Sequence, residues 1–223
     1  MRNTSTAFGG TYGALSPAIR STLANTFYTV SAMMGITALT GFLSLGLHLG
    51  FGSSLALFAA SIAVLFLVRK HRNSGIGLAL VALFAAIQGI ALGPVLAHYM
   101  RMQGGVTIVS SAAALTAVAT FACAVYASKA HSFSKLGAYL FGGLLVLIGA
   151  MLIGALFPIP GFQLAIAAFG ALLFIGFLLY DINAVVSGAE THYISASISI
   201  YLDVLNLFSM LLRLLGIVNS PRD

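Results

Sequence analysis

Two carboxylates stand where carboxylates cost most. Asp181 lies inside the run FIGFLLYDINAVV and Asp203 inside ISIYLDVLNLFSMLL, and the whole chain has only four acidic residues, the other two being Glu190 and Asp223. An ionisable group within a membrane-length apolar segment marks a functional site by default. Asp181 and Asp203 stand at equal distances before and after His192. If the chain turns near His192 into an antiparallel helical hairpin, equal spacing means similar depth, because every residue rises about 1.5 Å. The two carboxyls then face each other.

Two carboxyls held together in a low-dielectric site cannot both ionise cheaply, so they titrate as one coupled unit. Such a pair has three states. It can be protonated and hydrogen-bonded, singly ionised, or doubly ionised and attractive to a cation. Ca²⁺ takes about 6–8 oxygen ligands, and the two aspartates with Asn183, Asn206, Tyr180 or Tyr201 supply only part of that shell. The site is therefore expected to bind Ca²⁺ weakly and transiently, which suits passage better than storage. Protons and Ca²⁺ compete for it, so flux should depend on pH. A purely structural reading, in which the aspartates only tie two helices together, sets a high desolvation cost against a small return, since polar contacts between membrane helices average well below about 2 kcal/mol.

The elements that must hold this pair follow from composition. The chain of 223 residues is 60% hydrophobic and 6% charged, against about 25% charged for a soluble domain. Its mean hydropathy is +1.07, so it reads as an all-α integral membrane protein. Seven apolar segments each approach the ~20 residues that cross a bilayer core: Leu23–Gly46, Phe51–Val68, Ile76–Ala97, Val106–Ala127, Leu136–Phe157, Phe162–Ser187 and Ile194–Ile217. They form one domain over residues 22–218, after a polar tail (1–21) and before a short C-terminal tail (219–223). The seventh is diluted by Ser195, Ser197, Ser199, Asp203 and Asn206, which leaves a re-entrant hairpin open beside a full span. On that last segment Asp203, Asn206, Met210 and Arg213 fall on one helical face. A polar stripe cannot comfortably face lipid, so this helix should be central. Arg213, about 15 Å further along the axis than Asp203, would cap the outer end of the same buried path.

Basic residues set the orientation. With the N-terminus cytoplasmic, the inner side collects Arg2, Arg20, Arg69, Lys70, Arg72, Lys129 and Lys135, and the outer side keeps Arg101 and Arg222. The formal charge of +6 reflects few acids and scattered bases, which suits lipid headgroups and not nucleic acid. The single cysteine, Cys123, excludes an intrachain disulfide, and no cofactor is expected. Gly46/Gly50 and Gly89/Gly93 have GxxxG spacing, which allows close helix approach. Gln88 reads as an interhelical hydrogen-bonder, and Pro94 as a kink or end of the third span.

At the two aspartate segments the chain resembles a known family. Tyr180-Asp181-Ile-Asn183, then Tyr201-Leu-Asp203-Val-Leu-Asn206-Leu-Phe208, then Arg213-Leu-Leu-Gly216 are similar to the Bax inhibitor-1 family, also called transmembrane Bax inhibitor motif proteins, and most to its bacterial YccA-like branch. The resemblance implies a seven-helix fold around the C-terminal helix, and a pH-sensitive Ca²⁺ leak with the paired aspartates as sensor and latch. For the bacterial branch it implies instead a non-transporting inner-membrane modulator of the ATP-dependent protease FtsH. It carries the paired acids onto Asp181 and Asp203 and the last-helix arginine onto Arg213. It also implies a basic residue from the second span near the aspartates, for which Arg69 is the candidate. Some relatives pair the last-helix arginine with an acid on the second span, but nothing acidic precedes Asp181 here.

An enzyme is the third reading. Opposed aspartates on neighbouring helices can activate water, as in intramembrane aspartyl proteases. Here Ile200-Tyr201-Leu202 precedes the second aspartate where those proteases carry Gly-x-Gly, and no Pro-Ala-Leu follows, so no enzyme activity is expected.

Overall fold

Chain segments this apolar form helices because a backbone in lipid must satisfy its own hydrogen bonds. A computed structural model describes residues 15–128, 133, 135–157, 159 and 161–219. Among these residues there are seven helices in order: α1 (Pro17–Leu43), α2 (Phe51–His71), α3 (Gly75–Met100), α4 (Gly105–Ala127), α5 (Leu136–Leu156), α6 (Phe162–Val186) and α7 (Tyr193–Val218). All seven are long and apolar enough to cross a membrane. Arg2, Lys129, Arg222 and most of both predicted tails lie outside the described residues.

The observed helices track the predicted segments, with two corrections. The first begins at Pro17, inside the segment read as tail, because Ser16 caps it by accepting the Ile19 N–H at 3.3 Å and proline occupies its first turn. That is a favoured helix start. The third span neither ends nor breaks at Pro94 and continues to Met100. The seventh is one unbroken helix of 26 residues, about 39 Å long, so the re-entrant alternative is set aside.

α7 occupies the centre, as its polar stripe requires. It packs against α6, α4, α1 and α3, while α2 lies against α3 and α5 against α6. Half of the most apolar stretch of α7 is buried, more than for any other helix described. Its inward side chains Ile200, Tyr201, Leu207 and Leu212 join Met33, Phe84 and Leu178 in the core.

Lipid supplies little hydrophobic drive between helices, so close packing and hydrogen bonds must hold them together. The α1–α3 contact shows this. A Cβ added to Gly89 would fall on Thr40 Oγ1 and come within 2.5 Å of the Thr37 carbonyl oxygen, and one at Gly93 would strike Ser44. Gly46 and Gly50 have the same spacing with open space around them. Gln88 performs its expected role, accepting from Ser61 Oγ at 2.9 Å between α2 and α3.

Candidate functional site

The pair forms at the α6–α7 hairpin. α6 ends at Val186, and Gly188 takes φ +76°, a left-handed conformation that glycine adopts without strain. This turns the chain so that the Gly188 N–H bonds the Val185 carbonyl at 3.1 Å and the Glu190 N–H bonds that of Ala184 at 2.9 Å. Glu190 Oε1 then accepts the N–H of His192, the residue that leads into α7, at 2.7 Å. The reversal sets the two helices side by side.

Asp181 and Asp203 meet across this hairpin, close enough for each carboxyl to act on the other. Asp203 is only 6% exposed, and Asp181 is half-buried. Asp203 Oδ2 is buried without a hydrogen-bond partner. Two ionised carboxylates have no donor to offer each other, so the contact calls for a shared proton or an intervening cation. The charge of Glu190 also reaches Asp181. No three His, Cys, Asp or Glu residues gather as a metal-binding group among the described residues.

The other candidates lie elsewhere. Tyr180 packs on the first turn of α5, where a Cβ on Gly137 would come within 2.9 Å of its ring. Asn183 is buried, accepts from the Phe133 N–H at 3.0 Å and donates to the Ala127 carbonyl at 3.2 Å, which ties α6 to the α4–α5 connection. Asn206 is half-buried on the helix that carries Asp203. Arg213 acts electrostatically on the Tyr99 hydroxyl, and the Tyr99 ring covers Gly216. Arg69 is exposed in the last turn of α2. The helix that carries it packs against α3.

Tyr201 is a clamp and not a ligand. Its hydroxyl meets Thr37 Oγ1 at 2.6 Å, and Thr37 donates to the Ala85 carbonyl at 3.0 Å. The Thr37 proton is thus committed, and Tyr201 is the donor. The Phe84 ring stands edge-on to Tyr201 at 6.0 Å, so one side chain joins α7 to α1 and α3. Tyr201→Phe should lower stability by about 1 kcal/mol, the net worth of one such bond, as read by thermal unfolding in detergent, with the aspartate pair unaffected.

Thr37 and Glu190 escaped the sequence reading. A signal for the first existed: Thr26, Thr29, Val30, Met33, Thr37 and Gly41 are the buried residues of α1 and recur at helical spacing, a face of hydroxyls and small groups within an apolar run. Glu190 is acidic and close to Asp181 in sequence, but only the fold-back at Gly188 brings its charge to bear.

Comparison with known proteins bears on the whole chain. A family model described as "Inhibitor of apoptosis-promoting Bax1" matches residues 19–220. An uncharacterized membrane protein of Vibrio cholerae is 36% identical over 200 residues, covering 89% of this chain and 90% of its own. A protein of Escherichia coli named modulator of FtsH protease YccA is 29% identical over 195 residues, covering 87% and 89%. A Golgi anti-apoptotic protein of vaccinia virus is 36% identical over 169 residues, covering 74% and 69%.

Proposed function

Given that this chain belongs to the Bax inhibitor family, its match running over residues 19–220, we propose that it is a pH-responsive cation-leak protein whose gate is the Asp181–Asp203 pair. The observation that carries the reading is the meeting of two carboxyls with Asp203 Oδ2 buried and without a partner. With one shared proton the pair hydrogen-bonds and latches α6 to α7. When that proton leaves, two like charges face each other in a poorly polarisable medium. At about 4 Å and an effective dielectric constant of about 20, their repulsion is roughly 4 kcal/mol. The latch then parts or admits a cation. Ca²⁺ is the permeant ion of this reading, held only in passing, because two carboxylates are a small part of its shell.

The sign with pH follows from the competition. Acid supplies the latching proton and lowers flux, and alkali removes the proton and raises flux. Ca²⁺ entry into proteoliposomes, followed from about pH 6 to about pH 8, tests this. Flux that rises with pH agrees with the reading, whereas flux no greater than that of protein-free vesicles opposes it. We infer that the protein sits in a bacterial inner membrane with its N-terminus cytoplasmic. The exposed Arg20, Arg69, Lys70 and Arg72 favour that orientation, and an Escherichia coli relative bears the name inner membrane protein.

A second reading has one specific support, the name of the Escherichia coli relative as a modulator of FtsH protease. In it the chain is a non-transporting regulator that binds a membrane protease. Co-purification of the protease with wild type and with an Asp203 variant tests it, since binding indifferent to the pair separates regulation from leak.

A further inference from the structure

The end of the bundle nearest the aspartates is strongly basic. The α1 start reaches the hairpin, with Ile19 Cδ1 3.7 Å from a Cβ built at Gly188, and the α2–α3 connection reaches the start of α7 through Gly77 and Ile194. Asn183 brings Phe133, and with it the α4–α5 connection, to the same place. Arg20, Arg69, Lys70, Arg72 and Lys135 therefore all stand at this end, and all are exposed. A divalent cation approaching from here meets repulsion. Among the described residues Glu190 is the one carboxylate outside the helices at this end.

Glu190 is also fixed in place. Its N–H donates to the Ala184 carbonyl and its Oε1 accepts from the His192 N–H, so the half-buried residue is anchored through its backbone and one carboxylate oxygen. Ala184 lies three residues beyond Asp181, about 4.5 Å along the α6 axis. Facing Asp181 is Asp203, buried and with Oδ2 lacking a partner. Of the three carboxylates Asp203 is the buried one, while Glu190 and Asp181 are both half-buried. They do not gather into a single metal cage, which suits successive stations for a moving ion and not a storage site.

We propose that Glu190 is the entry carboxylate of the cation path: it receives a divalent cation at the basic end of the bundle and passes it to the Asp181–Asp203 pair. This rests on the cation-leak reading above. Glu190→Gln is a clean probe, because the amide oxygen still accepts the His192 N–H and only the charge is lost. In proteoliposomes at fixed pH, the Ca²⁺ concentration giving half-maximal flux should rise about three- to tenfold in Glu190→Gln, the size expected of one carboxylate acting on a divalent ion in a partly solvated mouth. Maximal flux should be retained. The shift should shrink as salt is raised, since a screened charge is being measured, and a loss of hairpin structure would not behave so. Half-saturation within twofold of wild type, with wild-type flux measurable, overturns the role of Glu190 and leaves the leak reading intact. Absence of flux from wild type overturns the leak reading itself, and this inference with it.

Discussion

Asp203→Asn is expected to abolish the pH response of Ca²⁺ flux while leaving the protein folded. Asparagine keeps the shape of the buried side chain, and its amide N–H can donate to the Asp181 carboxylate without any proton from solvent. The latch is then permanent. Flux should stay at the acid-pH level of wild type throughout, so that the ratio of alkaline to acid flux falls to about one. The effect is large because the driving repulsion is large: a tenfold change in an equilibrium needs about 1.4 kcal/mol, well within the roughly 4 kcal/mol available to two facing charges. Asp203→Ala separates a latch from a mere ligand. It removes the contact altogether, so latching predicts high flux at every pH, whereas loss of a cation ligand predicts low flux. Unchanged pH dependence in both variants would remove the pair from the gate.

Gly89→Val is expected to be the most damaging substitution for folding. The added Cβ would meet Thr40 Oγ1 and lie 2.5 Å from the Thr37 carbonyl oxygen, and backbone cannot yield as a flexible side chain does. Forcing α1 and α3 apart also loosens Thr37, which holds the Tyr201 hydroxyl and the Ala85 carbonyl. The central helix would lose one of its anchors. Overpacking at a rigid contact costs about 3 kcal/mol or more, enough to prevent recovery of folded protein from membranes. Gly46→Val has the same chemistry in open surroundings and should change stability by less than about 0.5 kcal/mol. Equal yields and melting temperatures for the two variants would contradict the close α1–α3 packing described here.

These two substitutions also mark what the sequence could and could not say. Asp181 and Asp203 were legible because a carboxylate in an apolar run is anomalous on energetic grounds alone, and the polar stripe on α7 placed that helix at the centre. The two GxxxG pairs were not separable, since spacing says that glycines share a face and not whether a partner helix is there. Apolar density begins at Leu23 and hides the start of α1, although Ser16 and Pro17 carry the stronger start signal. Tyr201 is near the aspartates in sequence but not on their face. It stands two residues from Asp203, which on a helix points it nearly the opposite way, toward Thr37 and Phe84. Arg69 comes to the site by resemblance alone, and it stands exposed in the last turn of α2.

The central claim is that Asp181 and Asp203 share a proton whose release opens the path, and infrared difference spectroscopy of the reconstituted protein reads that proton directly. Titrating from acid to alkali should remove one protonated-carboxyl band over the same pH interval in which Ca²⁺ flux rises. The band should be missing from both Asp181→Asn and Asp203→Asn, and retained in Glu190→Gln. If both aspartates are ionised across the whole interval in which flux changes, the pair is not the proton-controlled gate.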